Sequence, residues 1–140
     1  MIVVVTGDRD WSDAQLIERV LSRLGQDTVL IHGDARGADL LAGVYGLRRG
    51  WEVHPEPAQW YKYRKAAGPI RNQLMLDKWH PEVCHAFHDD LEHSTGTKDM
   101  VQRCLKGGVP VFVHTHLNEH PGESMAESHG QQSTFQDLGF

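Results

Sequence analysis

The chain has 140 residues and a formal net charge of −5, with 14 lysines and arginines against 19 aspartates and glutamates. This length fits one domain with a sizeable core, and the acidic balance argues against a nucleic-acid backbone as the main partner. The two cysteines lack metal-type spacing, and no apolar run is long enough to span a membrane. The opening apolar residues are too few for a signal peptide, so a soluble, cytoplasmic protein is expected.

Predicted strands and helices alternate over the first 113 residues. Apolar or β-branched runs indicate strands at 2–5, 28–31, 51–54, 83–87 and 109–113. Helices are predicted to begin at Ser12 or Asp13, after the turn His32–Asp39, at Pro69 and near Gly96, and Gly25 is predicted to end the first. In the second helix the apolar residues Leu40, Leu41, Val44 and Leu47 recur at helical spacing. This alternation predicts a mainly parallel sheet with helices on both faces.

Two glycine-containing turns each join a predicted strand to a helix. The first is His32–Asp39, with Gly33 and Gly37, and the second is Ser94–Asp99. Neither matches the dinucleotide or phosphate-loop pattern, and glycine in such turns often serves only tight packing. Right-handed crossovers nevertheless place all these turns at one sheet edge, where open α/β sheets bind ligands. The sequence therefore predicts a nucleotide site at that edge.

Several polar and aromatic residues near these turns have both a ligand-binding and a structural interpretation. Arg71, near a helix start, is suited to hold a phosphate or to pair with Asp39 or Asp99. Arg9 and Arg36 either hold an anion or are solvated. Three further candidates also have a ligand-binding and a structural interpretation. Trp60 stacks on a base or anchors its loop, Asp39 holds a ribose hydroxyl or its own turn, and Thr97 binds phosphate or caps its helix.

The apolar pattern stops at His114. Residues 114–140 are rich in His, Glu, Ser, Gln and Gly, which predicts a flexible polar tail with room for a short helix around 133–138. The histidines here and around residues 85–93 match no defined zinc spacing, so no metal site and no cofactor are predicted.

Four blocks of the sequence resemble the small, single-domain, YspA-like branch of the SLOG superfamily. They are Val5–Trp11, His32–Asp39, Trp60 with Ala66–Asn72, and Ser94–Met100. The resemblance implies a Rossmann-like fold over residues 1–113 that binds nucleotides, and dimeric relatives imply a homodimer. The related "lonely guy" phosphoribohydrolases carry P-G-G-x-G-T-x-x-E; here Gly96 and Thr97 match, whereas Met100 stands at the glutamate position. Their helix arginine corresponds to Arg71, followed by Asn72.

The expected function is binding of a nucleotide or nucleotide-derived small molecule, as a sensor or carrier, with no membrane partner and without nucleic acid as the main partner. The expected ligand-binding residues share the predicted turns and the matched blocks: Gly7, Arg9, Gly33, Arg36, Gly37, Asp39, Trp60, Arg71, Asn72, Gly96 and Thr97. The alternative is an enzyme that hydrolyses or transfers at the N-glycosidic bond of nucleoside phosphates. In that case Asp99, Asp39 or Asp8 would supply the carboxylate that assists departure of the base or stabilises the ribosyl cation.

Overall fold

The computed structural model describes residues 1–116 and 131–132. The strands are β1 (Ile2–Gly7), β2 (Val29–His32), β3 (Glu52–Pro55), β4 (Val83–Phe87), β5 (Val111–His114) and β6 (Gln131–Gln132). The α-helices are α1 (Ala14–Leu21), α2 (Ala38–Arg48), α3 (Trp60–Tyr63), α4 (Ala67–Trp79) and α5 (Gly96–Lys106). Short 3₁₀ turns at Arg64–Ala66 and Leu91–His93 precede α4 and α5.

The sheet has the strand order β3-β2-β1-β4-β5-β6, in which the first five strands are parallel and β6 is antiparallel to β5. This is a Rossmann-like α/β fold, and the predicted fold class is confirmed. The order reverses between β1 and β4, so the crevice beyond their carboxyl ends is where such sheets bind ligands.

A separate hydrophobic core lies on each face of the sheet. One core joins α1 and α2 to the sheet through residues such as Leu16, Leu30 and Phe87. The other joins α4 and α5 to the opposite face through residues such as Met75 and Met100. The strands therefore have helices on both faces, as the continuous apolar runs predict.

Helix α2 is rotated relative to what its large apolar residues would suggest. Its buried positions are the small residues Ala38, Ala42, Gly43 and Gly46, together with Asp39. Leu40, Val44 and Leu47 are 43, 55 and 64% exposed. The helix lies so close to the sheet that a Cβ on Gly43 would be 2.7 Å from His32 Nε2. Only small side chains fit that contact. Leu41 and Tyr45 are partly buried at the border of the core, whereas Leu40, Val44 and Leu47 are left on the outside.

Several helix boundaries differ from the prediction by a few residues. Asp13 is the N-cap of α1, its carboxylate accepting a 3.1 Å hydrogen bond from the Leu16 amide. This helix ends at Leu21, and tight turns carry the chain on to Gly25. Helix α4 begins at Ala67, two residues before Pro69, because proline is tolerated in a first turn where its missing N–H has no acceptor.

The boundary predicted after residue 113 falls inside β5, which includes His114. This side chain is 1% exposed, and its Nε2 lies 2.9 Å from Nδ1 of His85. Burial lowers the pKa of His85 to about 4. Gln131 and Gln132 pair with Val113 and Phe112. The rest of the predicted tail, including the short helix expected at 133–138, lies outside the described residues. Within the part of the chain that is described, no helix is long and apolar enough to cross a membrane.

Candidate functional site

A cleft of about 580 Å³ lies beyond the carboxyl ends of β1 and β4. It is bordered by the turns after β1, β2 and β4 and by the first residues of α4. Nine of the predicted site residues line it: Gly7, Arg9, Arg36, Asp39, Trp60, Arg71, Asn72, Gly96 and Thr97. Gly33 lines an adjoining recess of about 370 Å³ that shares Arg9, Trp60 and Arg71 with the cleft. The turns thus meet where the alternation of strands and helices places them.

Asp39 is a buried carboxylate at the start of α2. Its Oδ2 accepts hydrogen bonds from the amides of Gly33 (3.0 Å) and Ala35 (3.3 Å), so it holds its own turn together. The side chain also lines the cleft, although the residue is only 5% exposed. Burial raises the pKa of Asp39 to about 6, against the lowering effects of these hydrogen bonds and of the cationic Arg71 and Arg9.

Gly37 has a packing role and does not line the cleft. Its φ is +79°, and a Cβ there would overlap the backbone of Asp8 and Arg9. The neighbouring Ala38 amide donates a 3.1 Å hydrogen bond to the Asp8 carbonyl. The glycine therefore allows the turn after β2 to pack directly on the turn after β1, which brings their polar residues to one cleft.

Arg71 joins three segments around the cleft through two nitrogens of its guanidinium, Nη1 and Nε. Nη1 donates to the carbonyls of Gly33 and Glu56, and Nε donates to Asn72 Oδ1 at 3.0 Å. Neither of the ion pairs considered above, to Asp39 or to Asp99, forms within the described residues. Gly33 leaves the room that the guanidinium occupies, since a Cβ there would lie 2.5 Å from Nη1.

The remaining nitrogen of Arg71, Nη2, donates to no group in the described part of the protein, and Arg71 lines the cleft. Burial lowers the pKa of Arg71, while Asp39 raises it. The guanidinium stays charged at neutral pH because an arginine pKa lies far above 7. The side chain can therefore bridge the turns and still offer Nη2 to an anion.

The amino terminus of α5 presents unused donors to the same cleft. Ser94 caps the first turn, its Oγ accepting a 3.0 Å hydrogen bond from the Lys98 amide. Among residues 1–116 and 131–132, the amides of Gly96 and Thr97 and the Thr97 hydroxyl have no hydrogen-bond partner, although Thr97 is only 5% exposed. Apart from its chain neighbours and the backbone of its own helix, no atom of the described residues lies within 4 Å of a Cβ built on Gly96, so space for a ligand is open beside these donors.

Asn72 links α4 to α5 and holds this terminus in place. Its Nδ2 donates to Asp99 Oδ2 at 2.9 Å and to the Gly96 carbonyl at 3.3 Å. Asp99 also accepts a 2.9 Å hydrogen bond from Arg103 Nε, and it lines a separate groove between the two helices. The predicted catalytic alternative Asp99 therefore does not line the cleft.

Met100, at the position of the phosphoribohydrolase glutamate, is fully buried in the core beneath α4 and α5. The carboxylates that do line the cleft are Asp8, Asp10 and Asp39. This part of the resemblance therefore supplies no acidic group at the site.

Trp60 and Arg9 form the outer wall of the cleft. The guanidinium carbon of Arg9 lies 5.5 Å from the centroid of the Trp60 ring, and Trp60 is 47% exposed. Trp60 is therefore not an anchor in the core. Arg36 pairs with Asp10 at 3.3 Å, with both side chains largely exposed. Other residues that were not predicted as site residues also line the cleft, among them Asp10, Lys65 and Ser94. Their position within or beside the matched blocks is the signal that could have found them.

This chain is similar to one protein family and to a solved structure. The model of the YspA, cpYpsA-related SLOG family (YAcAr) matches residues 1–63. This match covers 63 of the 140 residues, which are called here the SLOG segment. A comparison with curated proteins finds no match.

Among solved structures, this chain is similar to the X-ray structure of DNA processing protein A (DprA) from Streptococcus pneumoniae. The TM-score is 0.63 at 18% identity, over 90% of this chain and 52% of that chain. The chain thus spans about half of the DprA chain, and the likeness shows the fold alone.

The SLOG segment contributes one half of the cleft and the remaining chain the other. Gly7, Arg9, Asp39 and Trp60 lie within residues 1–63, whereas Arg71 and the α5 terminus lie beyond them. The described residues contain no group of three His, Cys, Asp or Glu side chains placed to hold a metal ion. Together, the SLOG segment and the residues after it place hydrogen-bond donors suited to an anion beside an exposed aromatic ring.

Proposed function

We propose that the cleft binds a nucleotide or nucleotide-derived ligand, in a protein that acts as a sensor or carrier. The observation that carries this proposal is the set of unused donors at the start of α5: the Gly96 and Thr97 amides and the Thr97 hydroxyl. Amides at a helix amino terminus, with the positive end of the helix dipole, favour a phosphate group. Arg71 Nη2 adds a charged donor on the wall of the same cleft.

The part of the cleft formed by Trp60 and Arg9 supports a ligand that also carries an aromatic base. Trp60 is half-exposed, and a cation already lies over its ring. Aromatic faces attract both cations and flat π-systems, so a base can take the position over Trp60 while Arg9 turns towards the ligand's charge. A volume of about 580 Å³ lies within the range of roughly 300–1,000 Å³ usual for small-molecule sites.

A second candidate function is cleavage or transfer at an N-glycosidic bond, and the observation that favours it is Asp39. This buried carboxylate lines the cleft close to the charge of Arg71, and its pKa of about 6 is suited to proton transfer near neutral pH. Asp39 also accepts two hydrogen bonds from its own turn, so a structural role accounts for its position equally well. Ligand binding therefore remains the first proposal.

Identification of any bound ligand tests the proposal directly. The purified full chain is denatured, and the released small molecules are separated and identified by mass spectrometry. We expect a nucleoside phosphate or a derivative in the wild-type sample, and less of it from a Thr97→Val sample prepared in parallel. A bound molecule without a phosphate or another acidic group would contradict the proposed role of the α5 terminus.

A further inference from the structure

Two turns at the carboxyl edge of the sheet have the same sequence pattern, a histidine followed two residues later by an aspartate. They are His32–Asp34 at the end of β2 and His88–Asp90 directly after β4. In both turns Nδ1 of the histidine accepts a 2.9 Å hydrogen bond from the backbone amide of that aspartate. An amide N–H donates only to a nitrogen with a lone pair, so the neutral ring carries its proton on Nε2. Each turn therefore leaves its histidine with one ring donor, Nε2–H.

In the first turn this ring has a packing role. His32 is 4% exposed and lies under α2, where a Cβ on Gly43 would be 2.7 Å from its Nε2. It lines neither the cleft nor the adjoining recess. The Nε2 atom of His32 thus meets the helix and has no room for a ligand.

In the second turn the same ring is on the wall of the cleft. His88 lines the cleft, and its backbone amide donates a 3.1 Å hydrogen bond to the His114 carbonyl. Its backbone and its Nδ1 are therefore both held by the protein. Among residues 1–116 and 131–132, Nε2 of His88 has no hydrogen-bond partner. The turn thus fixes the ring and its tautomer and leaves the Nε2 donor unused.

The loop that begins at His88 ends at the unused donors of α5. Leu91, in the middle of this loop, is buried in the core beneath α5, and its carbonyl accepts a 3.0 Å hydrogen bond from the Ser94 amide. The loop is thereby folded back, so that its first residue and the first residues of α5, Gly96 and Thr97, line one cleft. One short segment therefore supplies a ring donor and helix-terminal donors to the same space.

We propose that His88 is a ligand-binding residue of the cleft and that its Nε2–H donates to the phosphate group that, on the function proposed above, the start of α5 holds. Ionised phosphate oxygens only accept hydrogen bonds, so a ring whose one free nitrogen is a donor suits them. The Asp90 amide sets the tautomer before the ligand arrives, and a group that is already ordered costs less free energy to use in binding.

A substitution that keeps the turn and removes the donor tests this role on the full chain. In His88→Asn the side-chain oxygen can accept from the Asp90 amide, as asparagine does in such turns, but no group replaces Nε2. We expect an unchanged melting temperature and an at least 10-fold weaker Kd for a nucleoside monophosphate, on the order of a hydrogen bond to a charged group. His93→Asn is the matched control, because His93 is in the same loop, is exposed and does not line the cleft. It should bind like wild type.

Nuclear magnetic resonance of the ¹⁵N-labelled wild type follows the ring itself, so the test does not depend on the variant folding. The sequence has ten histidines, and comparison with the His88→Asn spectrum assigns the His88 ring signals. The probes are inorganic phosphate and adenosine, guanosine, cytidine and uridine monophosphates. The free protein should show the Nε2–H tautomer at His88, and a probe that shifts the Gly96 and Thr97 amide signals should also shift its Nε2 signal.

The outcomes separate this role of His88 from the proposed function. Shifted Gly96 and Thr97 amides with an unchanged His88 ring, or a His88→Asn protein that binds as tightly as wild type, would overturn the role of His88 alone. If no probe shifts either set of signals, the proposed phosphate site at α5 fails and the role of His88 fails with it.

Discussion

Thr97 is the residue at which ligand binding and stability can be separated most cleanly. Thr97 lines the cleft, and its hydroxyl has no hydrogen-bond partner among residues 1–116 and 131–132, so Thr97→Val removes no hydrogen bond seen in this part of the chain. A hydrogen bond to a charged group contributes about 1.5–3 kcal/mol, which predicts a roughly 10- to 100-fold weaker Kd for a phosphorylated ligand. The free energy of unfolding of the unliganded protein should change by less than about 0.5 kcal/mol. Isothermal titration and denaturant unfolding measure the two quantities.

Thr28→Val is the matched control, because its Oγ1 donates a 2.6 Å hydrogen bond to the Gly25 carbonyl just before β2, at the end of the sheet away from the cleft. This variant should lose about 1 kcal/mol of stability and keep its affinity. The reverse pattern in the two variants would show that Thr97 is a structural cap and not a ligand contact.

Arg71 should prove both structural and ligand-binding. Arg71→Ala removes the hydrogen bonds to the Gly33 and Glu56 carbonyls, which predicts a loss of about 1–3 kcal/mol in stability together with weaker binding. Thermal unfolding and titration of the variant measure both. Arg36→Ala is the comparison, since its exposed pair with Asp10 is worth roughly 0–1 kcal/mol. An Arg71→Ala protein that unfolds like wild type would contradict the bridging role described here.

The prediction about phosphoribohydrolase activity depends on Met100, which stands at the position of the glutamate. A thioether cannot transfer a proton, so efficient phosphoribohydrolase activity on adenosine, guanosine, cytidine and uridine monophosphates is not expected. Chromatography for free base is the measurement, and a turnover on the order of 1 s⁻¹ would refute it. Met100→Glu should not create activity but unfold the protein, because it buries a carboxylate in an apolar core; Met100→Leu should cost less than about 1.5 kcal/mol.

At the scale of elements, two glycines at turns should respond in opposite ways to the same change. Gly37→Ala forces a side chain into a left-handed conformation against the Asp8 and Arg9 backbone, with an expected cost of about 1–3 kcal/mol or more. Gly96→Ala places its methyl group in open space at the start of a helix, so stability should be kept. Its affinity for a phosphorylated ligand should fall, since the methyl group occupies the ligand's space. Chemical unfolding and titration of both variants check these expectations, and equal loss of stability would contradict them.

The elements also show what a sequence pattern can and cannot specify. Strand β4 has the predicted bounds, because an apolar run between polar residues indicates where a strand of a buried sheet begins and ends. Helix α2 was predicted as a helix, but the spacing of its leucines does not say which side meets the sheet. That depends on how closely the helix lies to β2 and β3, where only small residues fit. The short α3 has too few residues for periodicity to reveal it.

For the whole molecule, the meeting of the turns at one cleft could be predicted because alternating strands and helices fix the handedness of the crossovers. The directions in which the side chains of Asp99 and Met100 point could not be predicted. Successive residues along a helix are turned by roughly 100°, and tertiary packing sets the rotation of the helix about its axis. Asp99 and Met100 consequently lie in the inter-helix groove and in the core, respectively.

Thermal unfolding of the full chain in the presence of a panel of nucleoside mono-, di- and triphosphates and dinucleotides tests the central claim most directly. A ligand at about one hundred times its Kd stabilises the folded state by roughly 2.7 kcal/mol, which raises the melting temperature of a domain of this size by several degrees. At least one member of the panel should give that shift for wild type and a smaller one for Thr97→Val, with Thr28→Val shifted like wild type. No shift with any nucleotide, together with no ligand released from the purified protein, would contradict the account.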